Sequence, residues 1–344
     1  MLTKKLIWLV AASVAITVLA PVSPVLGRPP PVPLTTLDAG HGGSDPGAIN
    51  CTHSFAGHDC VHESDINLDM ATRASRFLRR WGLEVRMTRT RDTEVNRPAS
   101  DLRTWNEVRR DDYDFYRDGA IDQRDELQAR VNIANCATVH ESCERDNPKQ
   151  ADAFVSVHNN ACGDCGAEGT TTYYFRDRSL RLAELVQEEV TERVDTTSRG
   201  LGTARFYVIT WTRMPAALLE AGFVDNPQEV KRLLRARFRR RVGLGVASGV
   251  ARYLCTPKGT RHDDKIEGTD GPDVLCGLRG DDIIRGRGGR DVILGGGGAD
   301  RLFGNGDDRL AGNRGNDLID GGNATDACTE GQGTDKKRAC EGVR

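Results

Sequence analysis

Over residues 34 to 254, short apolar runs alternate with amphipathic stretches, and a nine-residue rhythm replaces that pattern after residue 258. The run Leu34 to Leu37 predicts a strand, and Glu63 to about Trp81 predicts a helix with Ile66, Met70, Ala74, Phe77 and Leu78 on one face. Gly82 ends that helix and Leu83 to Thr88 reads as a strand. Further strands are expected at Phe154 to Asn160, near Thr171 to Phe175, and within Met214 to Asn226. Lys231 to Arg241 is expected on the last helix before the repeats. Leu233, Leu234, Phe238 and Val242 supply its core stripe, and its arginines a solvated face. Strands interleaved with helices predict an α/β fold, a mixed sheet flanked by helices.

The later rhythm sets an aspartate in each unit at Asp264, Asp273, Asp282, Asp291, Asp300, Asp308, Asp317, Asp326 and Asp335, with glycines three to five places before it. The spacing slips once, by one residue, between Gly304 and Ala311. Gly286 to Leu294 and Gly295 to Phe303 both fit G-G-x-G-x-D-x-U-x. The pattern resembles the RTX, or haemolysin-type, calcium repeat. Residues 259–340 are therefore expected to form a parallel β-roll in which Gly turns let carbonyls and Asp carboxylates converge on Ca2+. Asp273, Asp282, Asp291, Asp300, Asp308 and Asp317 are the expected calcium ligands, and the aliphatic two places after each Asp points inward. The degenerate first and last units read as caps. Arg279, Arg287 and Arg314 stand at variable turn positions and leave the number of filled sites open.

Composition adds location. Lys4 and Lys5 precede the apolar run Leu6 to Ala20, and Val25-Leu26-Gly27 is a small-residue cleavage site, so residues 1–27 read as a secretory signal and 28–33 as a Pro-rich leader. The expected mature chain is secreted or wall-associated and has no membrane span. Net charge is −2 before removal of that segment, which offers nucleic acid no basic surface of note. A monomer is expected. The ten cysteines fall into close couples, Cys51/Cys60, Cys136/Cys143, Cys162/Cys165, Cys255/Cys276 and Cys328/Cys340, which export makes disulfide candidates. Residues 255–258, with Pro257, form the expected linker.

Candidate chemistry sits at strand ends. Asp38-Ala-Gly-His41-Gly-Gly closes the first strand, and Phe154-Val-Ser-Val-His158 closes another; α/β proteins place their sites at such carboxyl ends. Glu63 lies in the first turn of its helix, where it could simply balance the helix dipole. Two histidines and one carboxylate also fit zinc with a fourth position open for water. Glu220 is the one charge between Ala216 and Phe223, and an acid bordering a core is costly without a partner or a task. It is the candidate general base and acid.

In order, the chain carries DAGHGG with DPGA, ExxxNL from Glu63, TRxxD at Thr88 to Asp92, LxxRVxIAN at Leu127 to Asn135, ADAFVSVHNNA and LLEAGF. These motifs resemble the zinc-dependent N-acetylmuramoyl-L-alanine amidases of the amidase type 3 family over about residues 34–254. The resemblance implies that His41, Glu63 and His158 bind Zn2+, that Glu220 is the catalytic carboxylate, and that peptidoglycan is the substrate. Ala221 and Asn159 depart from the family's usual Thr and Ala. Residues 96–123, with Trp105, Tyr113, Phe115 and Tyr116, are an insertion that reads as a lid or as a surface loop. His53, His58 and His62 offer substitute ligands beside the favoured His41. The alternatives are a zinc peptidase cutting within the stem peptide and a calcium-dependent surface adhesion module.

Overall fold

The computed structural model describes residues 32–93, 95, 123–135, 150–163, 166–255 and 258–341. The signal at 1–27, most of the leader, residues 96–122 of the insertion, and Cys136, Cys143 and Cys165 lie outside the described residues.

The first part runs β1 (Leu34–Ala39), β2 (Ile49–Asn50), β3 (Val61–His62), α1 (Glu63–Arg80), β4 (Glu84–Met87), α2 (Gln123–Asn135), β5 (Ala153–Asn160), β6 (Thr170–Tyr174), α3 (Asp177–Thr191), β7 (Ser198–Thr203), α4 (Tyr207–Trp211), β8 (Ala216–Phe223), α5 (Pro227–Leu233) and α6 (Ala236–Leu254). One six-stranded sheet has the order β4-β1-β5-β8-β6-β7. All its pairs are parallel except β6 with β8. Strand alternation splits its side chains between two cores. Leu37, Val155, Val157, Ala217 and Leu219 join α1, α3 and α6, whereas Phe154, Ala216 and Leu218 join Val131 of α2 and Val208 of α4. The expected mixed sheet flanked by helices is the observed fold.

One expectation is corrected. Lys231 to Arg241 does not lie on a single helix, because α5 ends at Leu233 and α6 begins at Ala236. Nor is that face wholly solvated. Arg239 is buried: its guanidinium pairs with Asp69 at 2.5 Å, donates to the Leu233 carbonyl at 2.6 Å, and lies over the Phe55 ring.

The repeats build β9 (Lys265–Glu267), β10 (Val274–Arg279), β11 (Ile283–Arg285), β12 (Val292–Gly297), β13 (Arg301–Phe303), β14 (Arg309–Arg314), β15 (Leu318–Asp320), β16 (Ala327–Thr329) and β17 (Lys336–Arg338). They stack as two parallel sheets, β10-β12-β14-β16 and β17-β15-β13-β11-β9. This is the expected parallel β-roll, and the degenerate end units are terminal strands of the same ladders. Ile266, Leu275, Ile284, Ile293, Leu302, Leu310, Ile319 and Cys328 fill the space between the sheets, each two residues after an aspartate. The outer face of the first sheet is also buried: Val274, Cys276, Val292, Leu294 and Ala311 belong to the core of the α1, α3 and α6 layer. A disulfide from Cys255 to Cys276 pins that junction, Arg261 and Arg279 pair with Glu192, and Arg309 donates to the Gly82 carbonyl. Disulfides also join Cys51 to Cys60 and Cys328 to Cys340, and Cys162 is disulfide-bonded.

Candidate active site

The turn after β1 carries the first histidine in an unusual backbone state. His41 has φ 60°, and the following Gly42 and Gly43 are also at positive φ. A buried ion pair supports this turn from beneath. Arg130 of α2 bonds Asp38 at 2.6 Å and donates to the carbonyls of Ala39 and His41. Burial opposes the Asp38 charge, but Arg130 and the hydroxyls of Ser156 and Thr88 outweigh it and hold the carboxyl at about 2. Arg89 adds hydrogen bonds to the carbonyls of Ala39, Gly40 and Ser64. The TRxxD and LxxRVxIAN motifs therefore act as braces for the His41 turn.

That turn, the start of α1 and the end of β5 bring His41, Glu63 and His158 together, with their ligand atoms within 4.8 Å of one another. Glu63 Oε1 lies 3.3 Å from His41 Nε2 and 3.2 Å from His158 Nδ1. Ligands about 2.1 Å from a tetrahedral zinc ion stand about 3.4 Å apart, so this donor spacing fits the metal. Small residues make the room: a Cβ on Gly40 would overlap the His158 ring, and one on Gly47 would strike Glu63 and His41. His41 Nδ1 faces Asp45 Oδ2 at 2.7 Å, which in the neutral ring keeps the proton on Nδ1 and leaves Nε2 free to bind a metal. Burial disfavours the His41 cation, yet the hydrogen bonds to Asp45 and Glu63 prevail and raise it to about 10 in the metal-free protein.

Glu63 does more than balance a helix dipole. Its Oε2 accepts from the Ala48 amide at 3.0 Å, and its Oε1 from the Asn159 amide at 3.1 Å and from Asn67 Nδ2 at 3.0 Å. Asn159 in turn donates to Asn67 Oδ1 at 2.7 Å. Asn159 thus holds the partner that orients Glu63.

Glu220 lies opposite His158 in the parallel register of β5 and β8. Its Oε2 is shielded from solvent and has no hydrogen-bond partner. Burial first, and then the nearby Glu63 charge, push its carboxyl well above the usual range, against the pull of His41. Sequence reading missed the Asp45 and Asn159 contacts. Asp45 lies within the quoted DPGA motif, but its partner depends on the path of the turn. The substitute histidines stay out of this group: His58 and His62 form a separate cluster with Asp65.

In the roll, seven of the nine repeat aspartates bond the backbone of the preceding turn. Oδ1 of Asp282, Asp291, Asp300, Asp308, Asp317, Asp326 and Asp335 accepts from the amide of the aspartate one full turn earlier. Oδ2 of Asp282, Asp291, Asp300, Asp317 and Asp326 is buried and unpartnered, an arrangement suited to a hard cation. Asp273 and Asp308 differ from the rest of the expected set, because Thr269 donates to Asp273 Oδ2 and Gly306 to Asp308 Oδ2. Asp326, absent from that set, has the same orphaned oxygen as its neighbours.

The family model described as N-acetylmuramoyl-L-alanine amidase matches residues 36–252. The chain belongs to that family. The RTX calcium-binding nonapeptide repeat matches at 259–293, 277–306 and 304–336, so this amidase-family chain carries calcium-binding repeats. It is 29% identical over 221 residues to the N-acetylmuramoyl-L-alanine amidase LytC of Bacillus subtilis, covering 63% of this chain and 34% of LytC. To the probable cell wall amidase LytH of Staphylococcus epidermidis it is 27% identical, over 63% of this chain and 57% of LytH. The match thus spans about a third to just over half of these relatives. The CwlD amidase of Clostridioides difficile, solved in complex with the GerS lipoprotein, superposes with TM-score 0.50 at 27% identity, covering 64% of this chain and 98% of CwlD. Among the described residues, no helix is long and apolar enough to cross a membrane.

Proposed function

We propose that this chain is a secreted hydrolase of the amide between the lactyl carboxyl of N-acetylmuramic acid and the first L-alanine of the stem peptide. His41, Glu63 and His158 would hold Zn2+, and Glu220 would move the proton. The observation that carries the reading is the shielded, unpartnered Glu220 Oε2 beside a two-histidine, one-carboxylate donor set.

His41, Glu63 and His158 would hold the ion, whose Lewis acidity would polarise the scissile carbonyl and ease deprotonation of water near neutral pH. The chain's own residues do the rest. Glu220 accepts a proton from the attacking water and returns it to the departing alanine nitrogen, a task suited to a carboxyl whose proton affinity burial has raised. Asp45 holds the His41 tautomer, and Asn67 and the Asn159 amide hold Glu63. The calcium ions would sit among the roll's orphaned aspartate oxygens, with Asp282, Asp291, Asp300 and Asp317 the main ligands, and would stabilise the strands on which the roll depends.

The test is mass spectrometry of muropeptides incubated with the protein, with and without a zinc-selective chelator, calcium held constant. Intact free stem peptides that disappear on zinc removal are expected. Glu220→Gln should cut the rate about 10²–10⁴-fold with zinc content unchanged. Internal stem fragments would replace this reading with a stem peptidase, and full activity in Glu220→Gln would overturn the role of Glu220.

A further inference from the structure

Next to the His41 group stands a second set of metal-ligating side chains. His58 comes from the loop closed by the Cys51–Cys60 disulfide, His62 stands at the N-cap position of α1 without a capping side-chain hydrogen bond, and Asp65 lies in the first turn of that helix. Their ligand atoms all lie within 4.8 Å of one another. The two imidazoles stack with centroids 4.3 Å apart.

Two features separate this cluster from a chance grouping of polar residues. Asp65 is only 9% exposed, and its Oδ2 is sealed from solvent with no hydrogen-bond partner. A carboxylate oxygen left this way is costly unless something positive completes it. The nearest candidate, His58 Nε2, stands 3.6 Å away, too far for a hydrogen bond. That distance matches the roughly 3.4 Å that bonds of about 2.1 Å impose between two ligands of a tetrahedral ion. Two imidazoles with one carboxylate select a borderline divalent ion such as Zn2+ over Ca2+ or Mg2+.

The loop is also preorganised. Phe55 and His58 exchange both backbone hydrogen bonds, at 3.2 and 3.0 Å, and the Phe55 ring is covered by the buried Arg239 guanidinium. We propose that His58, His62 and Asp65 form a second, structural zinc site, distinct from the His41, Glu63 and His158 group. An ion there ties the disulfide loop to the first turn of α1, one residue from Glu63. The inference does not depend on the amidase reading.

The full oxidised chain, with calcium in excess, would be stripped with a zinc-selective chelator, reloaded with Zn2+, desalted and analysed for metal. Two zinc ions per chain are expected in the wild type. One should remain in each of His58→Gln, Asp65→Asn and His158→Ala, and none in the His58→Gln/His158→Ala double variant. With Co2+, His158→Ala should keep the visible absorption of a low-coordinate site, and adding His58→Gln should abolish it. The His58 side chain is 41% exposed against 8% for Asp65, so its replacement spares the fold even where Asp65→Asn does not. One zinc in the wild type that His158→Ala removes, or two zinc ions retained in His58→Gln, would overturn the second site and leave the first standing. One zinc that survives His158→Ala but not His58→Gln would support the second site and count against the first.

Discussion

A hydrogen bond of 2.7 Å between Asp45 and His41 decides how the first histidine faces the site. Without the carboxylate, the Nδ1 proton has no fixed acceptor and the ring no fixed tautomer. Asp45→Ala should therefore weaken zinc binding about 10–100-fold, read by chelator competition, with far less effect on melting. Unchanged zinc affinity would remove Asp45 from the orienting role. Asp38 acts deeper. Asp38→Ala strands Arg130 inside the fold with only Glu126 left to pair it, and should cost about 3 kcal/mol in denaturant unfolding. The native charge stabilises the fold above the ordinary carboxyl range, and that contribution fades as pH falls toward about 2. At this scale the sequence showed the residues of candidate chemistry, His41, Glu63, His158 and Glu220, because a histidine or acid at a strand end or core edge is conspicuous. It did not show the residues that orient them, because Asp45, Asn67 and Asn159 look like ordinary polar side chains until the fold gives each its partner.

Among the elements, the calcium roll carries the clearest pH dependence. Burial raises Asp291 and Asp300 to about 7 and Asp282 to about 6, with neighbouring aspartates adding to the effect. A raised folded-state value means that the calcium-free roll holds protons that the unfolded chain has released. Its stability is then fully present below the ordinary carboxyl range, near pH 4, and declines as pH rises through 6 to 7. In a calcium chelator, the roll should melt at a lower temperature at pH 8 than at pH 5. Saturating calcium, which replaces those protons, should remove most of that difference and bind more tightly as pH rises. A calcium-free melting temperature that is flat or rises with pH would contradict this. The strands and the inward position two residues after each aspartate were legible from periodicity alone, since period and register are local. The break between α5 and α6 was not. An apolar stripe runs on through Leu234 and Phe238, and only the packing of Arg239 against Asp69 and Phe55 accompanies the turn between the two helices.

For the molecule as a whole, the roll is joined to the sheet domain by a continuous core. Val292 and Leu294 of β12 are buried in the same cluster as Val246, Val250 and Ala251 of α6. Leu294→Asp places a charge in that junction. It should separate a single calorimetric transition of the calcium-loaded protein into two, and should free the sheet domain's melting from calcium. One transition with undiminished calcium dependence in the variant would show that the junction does not couple the two parts. A hint of the docked face was present in the repeats. The residues flanking the inward position are Val274 and Cys276, Val292 and Leu294, then Arg309 and Ala311 in one sheet, but Lys265 and Glu267, Ile283 and Arg285, then Arg301 and Phe303 in the other. Alternate repeats differ in polarity because one roll face meets protein and the other meets water.

The sequence alone determined the α/β class, the roll, the four residues of candidate chemistry and the aspartate register, because each rests on local periodicity or on an ordered set of motifs. Tertiary structure alone decided which oxygens lack a partner, which polar side chains hold the site residues in place, and which of the neighbouring histidines belong together. His58, four residues before His62 in the chain, joins Asp65 rather than His41, and nothing in the order of residues separates those two outcomes. The disulfide loop and the first turn of α1 do, because they fix distances that the linear chain leaves free.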